Sequence, residues 1–337
     1  METLNVKMIL ARAKERLQGT NMRQLTVLHT GVTVAAALVI TLLQYVLAEG
    51  IGNTGGLSGM GTRSVLETVQ LVLQWANMIL LPFWNLGFLF VALQWARGNR
   101  TRREDLLTGF HRVGPCIGLL VNRAILTIAV LVLCINVSST VYMMSPAASG
   151  ILQMAEEYGN TEALYEYLYS LNTEQVLELF RGMIPMLVIF VLLGAVILIP
   201  LLYRFRMAEY VILEEPRARG LSAMLLSAAL LRRRCWQLFK LDLRFWWYYV
   251  LKFLCTGLLY ADLLLETVGV VLPIGGEAAY FLTYGLYLAG LFAVEVSFRP
   301  LVETAYACVY DTWKELGPVQ KKVIPVKPQD MPWDTEE

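Results

Sequence analysis

A chain of 337 residues that is 57% hydrophobic and only 16% charged, with a mean hydropathy of +0.54, is too apolar for an ordinary soluble domain. Its net charge of +1 arises from 28 basic and 27 acidic residues segregated along the sequence. With a pI of 7.6 and the basic residues dispersed over four segments, nothing marks a nucleic-acid-binding surface. The five cysteines, Cys116, Cys134, Cys235, Cys255 and Cys308, lack the paired spacing of a disulfide framework or a zinc site.

Residues 1–23 read as a cytoplasmic amphipathic helix. Leu4, Met8, Ala11 and Leu17 fall near one face, with Lys7, Lys14 and Arg16 elsewhere. Such a helix lies along an inner leaflet, where anionic lipid contributes about 1 kcal/mol per well-placed basic residue. Gly19 and Asn21 supply its stop. The apolar run 25–48 exceeds the roughly 7 to 15 residues of a secretory core, so it is expected as an uncleaved first span.

A helix needs roughly 20 apolar residues to cross about 30 Å of hydrocarbon. Six segments meet that requirement: 25–48, 65–96, 113–142, 183–203, 241–265 and 278–298. The expected fold is an all-α integral membrane protein with six transmembrane helices and an interfacial N-terminal helix. A small helical outer cap (143–182) joins spans three and four, and an inner helical loop (204–240) joins spans four and five. The membrane domain covers 24–306 and a cytoplasmic tail 307–337.

Lysine and arginine orient the spans, because retained loops are basic. Nearly all lie before span one, between spans two and three, between spans four and five, and in the tail, whereas the opposite loops hold only Arg63 and Arg181. Both termini are therefore expected in the cytoplasm of a cell-membrane protein. In the long second span, Pro82, Asn85 and Gly87 mark a place to kink, either for packing or to line a cavity.

The glycine-rich first outer loop, 49–64, lacks the Lys-Ser or Lys-Thr pair of a phosphate-cradling loop and reads as a linker. The acidic and tyrosine-rich cap carries Glu156, Glu157, Glu162, Glu166, Glu174 and Glu178, with Thr173 placed to cap a helix at Glu174. Its charge reads as a solvated face or, alternatively, as a surface for a cationic ligand.

Fragments that evoke enzymes lack partners. Gly56-Leu57-Ser58-Gly59 matches the serine motif of rhomboid proteases, which need a histidine on a later span. The only histidines are His29, in the first span, and His111, across the membrane from Ser58. Glu214, Glu215 and Arg219 match a fragment of prenyl-protein proteases without their histidines. No catalytic residue, cofactor or metal is expected.

Charges at membrane depth are the better candidates. Glu295, Arg299 and Glu303 stand four apart on one helical face, where both acids can pair with the arginine. Arg123 enters span three, and Asp242 and Arg244 enter span five, from the same side. These six residues read either as a structural charge cluster at the inner interface or as a substrate or proton path. Arg204, Arg206, Arg232, Arg233 and Arg234 form a candidate basic patch on the inner leaflet, carried by a re-entrant or interfacial helical hairpin. Asp262 and Glu266 read as interfacial, and Trp75, Trp84, Trp95, Trp236, Trp246 and Trp247 as an aromatic belt.

The run Tyr203-Arg204-Phe205-Arg206-Met207-Ala208-Glu209-Tyr210 is followed by Glu215-Pro216, Ser227, Trp236-Gln237-Leu238-Phe239 and Leu241-Asp242-Leu243-Arg244-Phe245-Trp246-Trp247. Together with Ala11-Arg12-Ala13-Lys14, Ala96-Arg97-Gly98 and Gly109-Phe110, it resembles a bacterial family of six-span membrane proteins of unknown function, the DUF975-type family. Arg244 and Arg234 depart from the Ser and Gly usual there. The resemblance implies the six-span fold and no activity.

The function expected is non-enzymatic: binding of membrane lipids, a peptide or a partner membrane protein, and no nucleic acid. The alternatives are the permease subunit of an exporter working with a separate ATPase and, more remotely, an intramembrane hydrolase.

Overall fold

The computed structural model describes residues 5–53, 60–144, 173–261 and 276–317, and among them every regular element is helical. The expected outer cap up to residue 172, Ser58, Asp262 and Glu266, and the tail beyond 317 lie outside these residues, whereas 173–182, expected as the end of the cap, forms the first turns of the helix Thr173–Arg204.

The chain opens with α1 (Val6–Leu17), α2 (Met22–Asn53) and α3 (Met60–Ala96). A 3₁₀ turn (Arg103–Leu107) and the short α4 (Thr108–His111) lead into α5 (Val113–Met143). There follow α6 (Thr173–Arg204), α7 (Ala208–Glu214), α8 (Gly220–Leu230), α9 (Cys235–Arg244), α10 (Trp246–Gly257) and α11 (Gly276–Leu316). Among the described residues, five stretches are long and apolar enough to cross a membrane: Met22–Glu49, Ser64–Ala96, Val113–Met143, Met183–Glu214 and Ala278–Leu316. Their outward faces expose Val39, Leu43, Ile125, Val132, Leu192 and Val196, an apolar exterior that suits lipid as the surrounding solvent.

The region expected as the fifth span is divided. Helix α9 ends at Arg244, Phe245 leaves helical geometry, and α10 and a 3₁₀ turn (Leu258–Tyr260) follow. Each side of the break is tied to a different neighbour. Asp242 accepts a short hydrogen bond from Tyr203 Oη on α6, and Tyr248 Oη donates to Glu295 Oε1 on α11 at 3.1 Å. The bulky run Phe245 to Tyr249 also has little helical preference to resist the break.

Helix α1 is started by Asn5, whose side chain accepts from the amides of Lys7 (3.1 Å) and Met8 (3.4 Å). It packs on the protein through Ile9 and Ala13, with Val6 and Leu10 alongside. This corrects the expected apolar face: Met8 is 60% exposed, and Ala11 points out as well. The face that docks is the one that complements α11 and α3, which periodicity within a twelve-residue helix does not single out.

Helix α3 runs unbroken through Pro82. Its second half is overlaid backbone to backbone by the connector to α5. A Cβ on Gly87 would lie 1.8 Å from the Leu106 carbonyl oxygen, and one on Gly109 1.9 Å from that of Phe83. Trp95 is wholly buried there and donates to Thr101 Oγ1 at 2.9 Å, and Thr101 in turn binds Asn21. Trp95 is thus core rather than aromatic belt, and Trp84 is half-buried with its ring stacked on the buried His29 at 5.0 Å. Trp75, Trp236, Trp246 and Trp247 do face outward.

Segment 204–240 is built of α7, α8 and the start of α9. Helix α7 is buried through Ala208, Tyr210, Val211, Ile212 and Leu213. Ser227 joins the layers, donating to the Arg204 carbonyl (2.8 Å) and accepting from the Met207 amide (3.1 Å). Where α8 crosses α5, a Cβ on Gly220 would lie 2.1 Å from Gly118. Such contact of bare backbones is how small residues let apolar helices approach. Helix α11 continues through Pro300 to Leu316, and Ala307, Cys308, Val309, Tyr310 and Trp313 are buried. The residues expected to begin a tail at 307 are therefore part of the core.

Candidate functional site

Where α3, α5, α6, α7 and α11 converge they leave a cavity of about 680 Å³. Helix α3 contributes Pro82, Asn85, Leu86 and Leu89, and α5 contributes Cys116, Leu119, Leu120 and Arg123. Ile199, Leu202 and Tyr203 come from α6, Arg206, Glu209 and Tyr210 from the turn into α7 and from α7 itself, and Arg299, Glu303 and Tyr306 from α11. Apolar walls thus enclose three guanidinium groups and two carboxylates.

Each arginine is held by a different set. Arg123 Nη1 pairs with Glu209 at 3.0 Å and Nη2 reaches the Phe205 carbonyl at 3.4 Å, while its buried Nε has no hydrogen-bond partner. Arg206 pairs with Asp242 at 3.3 Å, donates to Tyr249 Oη at 3.1 Å and lies 4.3 Å over the Tyr306 ring. Arg299 donates to Asn85 Oδ1 at 2.9 Å, stacks 4.6 Å over Phe88 and pairs with Glu295 at 3.4 Å. Lys252 Nζ reaches the other oxygen of Glu295 at 2.7 Å. Charges in a low-dielectric interior persist when paired and hydrogen-bonded in this way.

Glu303 lacks such a partner: among the described residues its carboxylate makes no ion pair and no hydrogen bond. The expected pairing of both acids with Arg299 therefore holds for Glu295 alone. Arg299 is drawn toward Asn85 and Phe88 on α3, away from the turn that carries Glu303.

Of the residues expected to form the charge cluster, Arg123, Arg299 and Glu303 meet at the cavity, and Asp242 and Glu295 stand behind it as counter-ions. Arg244 is exposed and takes no part. The expected basic patch divides. Arg206 turns inward to the cavity, whereas Arg204, Arg232 and Arg233 are exposed, Arg233 with a left-handed backbone (φ 63°). Arg234 donates to the carbonyls of Leu230, Trp313 and Gly317, covering the C-terminal end of α11, and burial lowers its pKa. Glu209 and Tyr203 escaped the sequence reading of the site because their partners Arg123 and Asp242 lie 86 and 39 residues away, a separation that leaves no local pattern, whereas Asn85 stood out as a position that could line a cavity.

At the same end of the bundle a second polar cluster ties three elements together. Arg97, just past α3, donates to Asp311 (2.6 and 3.1 Å) and makes a short hydrogen bond to Glu214, which also accepts from Lys314 (2.6 Å) and Tyr310 (2.8 Å). The Asp311 hydrogen bond, and after it that of Glu214, hold the Arg97 guanidinium above its usual range against the opposing effect of burial. Glu215 and Arg219, the rest of the protease-like fragment, are exposed on the turn before α8. Among the described residues, no three His, Cys, Asp or Glu side chains are grouped to hold a metal ion. No protein-family model, curated protein or solved structure matches the chain.

Proposed function

We propose that this is a non-enzymatic six-span protein of the cell membrane, of the DUF975-type, that holds a membrane lipid in the cavity between α3, α5, α6 and α11. The observation that carries the reading is the contrast across that cavity. Arg123, Arg206 and Arg299 supply an interior suited to a phosphate, while Ile199 and Leu202, 52% and 37% exposed, bring its apolar rim to the outer surface of α6. An amphiphile matches both parts at once, and the part-exposed Arg123 side chain, whose guanidinium lines the cavity, is placed to meet its head group. Phospholipid retained by the detergent-purified protein, read by native mass spectrometry, is expected to fall about tenfold in Arg123→Ala, the effect of one lost charge-assisted hydrogen bond. Unchanged retention would remove the cavity as the lipid site.

In this reading α10 belongs to the sixth crossing, and both termini are cytoplasmic. Reporters fused at residues 1 and 337 are then both active in the cytoplasm. One terminal reporter active outside and the other inside would show an odd number of crossings, and both outside would reverse the orientation.

The permease reading draws on the depth of the same cavity. Pro82 lies about 20 Å along α3 from Ala96 at ~1.5 Å per residue, which approaches the middle of a bilayer about 30 Å thick. Co-purification of an ATPase would favour it over lipid holding alone.

A further inference from the structure

We infer that the head group taken by this cavity carries a primary ammonium beside its phosphate, as in the phosphatidylethanolamine class, with Glu303 as the ammonium's counter-ion. The inference rests on the lipid-holding reading and adds the class of lipid. Its ground is the distribution of charge. Glu209, Asp242 and Glu295 are each committed to a cation, at 3.0, 3.3 and 2.7 Å respectively. Among the described residues, Glu303 alone of the acids around the cavity lines it without an ion pair or side-chain hydrogen bond, the charges of Arg299 and Arg206 reaching it only at longer range. A head group bearing only negative charge would draw the arginines to its phosphate and leave Glu303 with no direct partner, which is costly at low dielectric. A zwitterion satisfies both sides.

The choice between a primary and a quaternary ammonium follows from the tyrosines. Recognition of a quaternary ammonium uses free aromatic faces. Of the three tyrosines lining the cavity, Tyr306 is covered by the Arg206 guanidinium at 4.3 Å, Tyr203 has the same guanidinium 6.0 Å from its ring, and Tyr210 is stacked on Tyr310 at 5.3 Å. What remains is a carboxylate, and the three N–H donors of a primary ammonium can bond to it where a trimethylammonium cannot.

The test uses the full-length protein, stripped of lipid in detergent and exposed to nanodiscs of phosphatidylethanolamine, phosphatidylcholine or phosphatidylglycerol, with retained lipid counted by native mass spectrometry. Phosphatidylethanolamine is expected to be retained about tenfold over either competitor, and Glu303→Gln to abolish that preference while still retaining phospholipid. Equal retention of phosphatidylcholine, a preference for phosphatidylglycerol, or a preference that survives Glu303→Gln overturns the assignment of the ammonium and leaves the lipid site standing. Retention of no phospholipid by the unaltered protein overturns both readings. Displacement of bound lipid by soluble phosphoethanolamine would make the ligand a water-soluble amine phosphate and overturn the lipid class. The comparison among lipids on the unaltered protein decides the question even if Glu303→Gln does not fold.

Discussion

Replacing Gly87 with alanine is expected to destabilise the protein by about 3 kcal/mol, the upper part of the range for overpacking a filled interior. The new methyl group would have to occupy the position of the Leu106 carbonyl, 1.8 Å away, and the obstacle is backbone rather than a side chain that swings aside. Nor can the connector withdraw freely. Gly109 meets the Phe83 carbonyl just as closely, and Trp95, Thr101 and Asn21 fasten the start of the connector to α2 and α3. Relief therefore requires the 3₁₀ turn, α4 and the entry to α5 to move together. Since α5 carries Arg123, the cavity should deform as well. Cys116, Cys134, Cys255 and Cys308 are buried free thiols, so their reaction with a fluorogenic maleimide on heating reports unfolding directly. The midpoint should fall by about 6–12 °C in Gly87→Ala. A fall of less than a degree or two would mean that the backbones do not touch.

Arg97→Ala is expected to cost about 2 kcal/mol. Removing one partner from a fully buried charge pair costs about 3–5 kcal/mol, and Arg97 falls below that because its side chain remains 33% exposed. The loss leaves Asp311 with no cation among the contacts described here and Glu214 with only Lys314 and Tyr310, so the ends of α3, α7 and α11 lose their common tie. The same thiol assay should show the effect. The double variant Arg97→Ala with Glu214→Gln should be milder than the sum of the two single changes, because residues of one ion network are not additive. Strict additivity would show that Arg97 and Glu214 do not interact. Both of these changes act on the frame around the cavity, whereas Arg123 and Glu303 report on its contents, so stability and lipid retention separate the two groups of residues.

Much of the helical plan was legible from one-dimensional pattern, since a long apolar run commits backbone polar groups to helix in a medium without water. The stop at Gly19 is local chemistry of the same kind. The fifth expected span shows where the pattern stops being sufficient. Residues 241–257 are apolar enough for one helix, but Asp242 and Tyr248 are fastened to different helices and the backbone breaks between them at Phe245.

The site was half legible. Arg123, Asp242, Glu295, Arg299 and Glu303 were singled out because charge at membrane depth is costly wherever it falls. Their pairing was not, and neither was the role of Arg206, which composition alone groups with the exposed arginines around it.

By itself, then, the sequence determined the helical class, the approximate extent of the apolar segments and the short roster of charges that must be accommodated among them, because hydrophobic periodicity and the cost of burying charge are properties of each segment taken alone. Only the tertiary structure decided that α1 docks through Ile9 and Ala13, that bare backbones meet at Gly87 and Gly220, and that among the described residues Glu303 makes no direct ion pair while Glu295 has two cations. Those outcomes depend on which distant side chain reaches a given charge first. Arg299 answers to Asn85 across 214 residues of chain, and no local rule anticipates that competition.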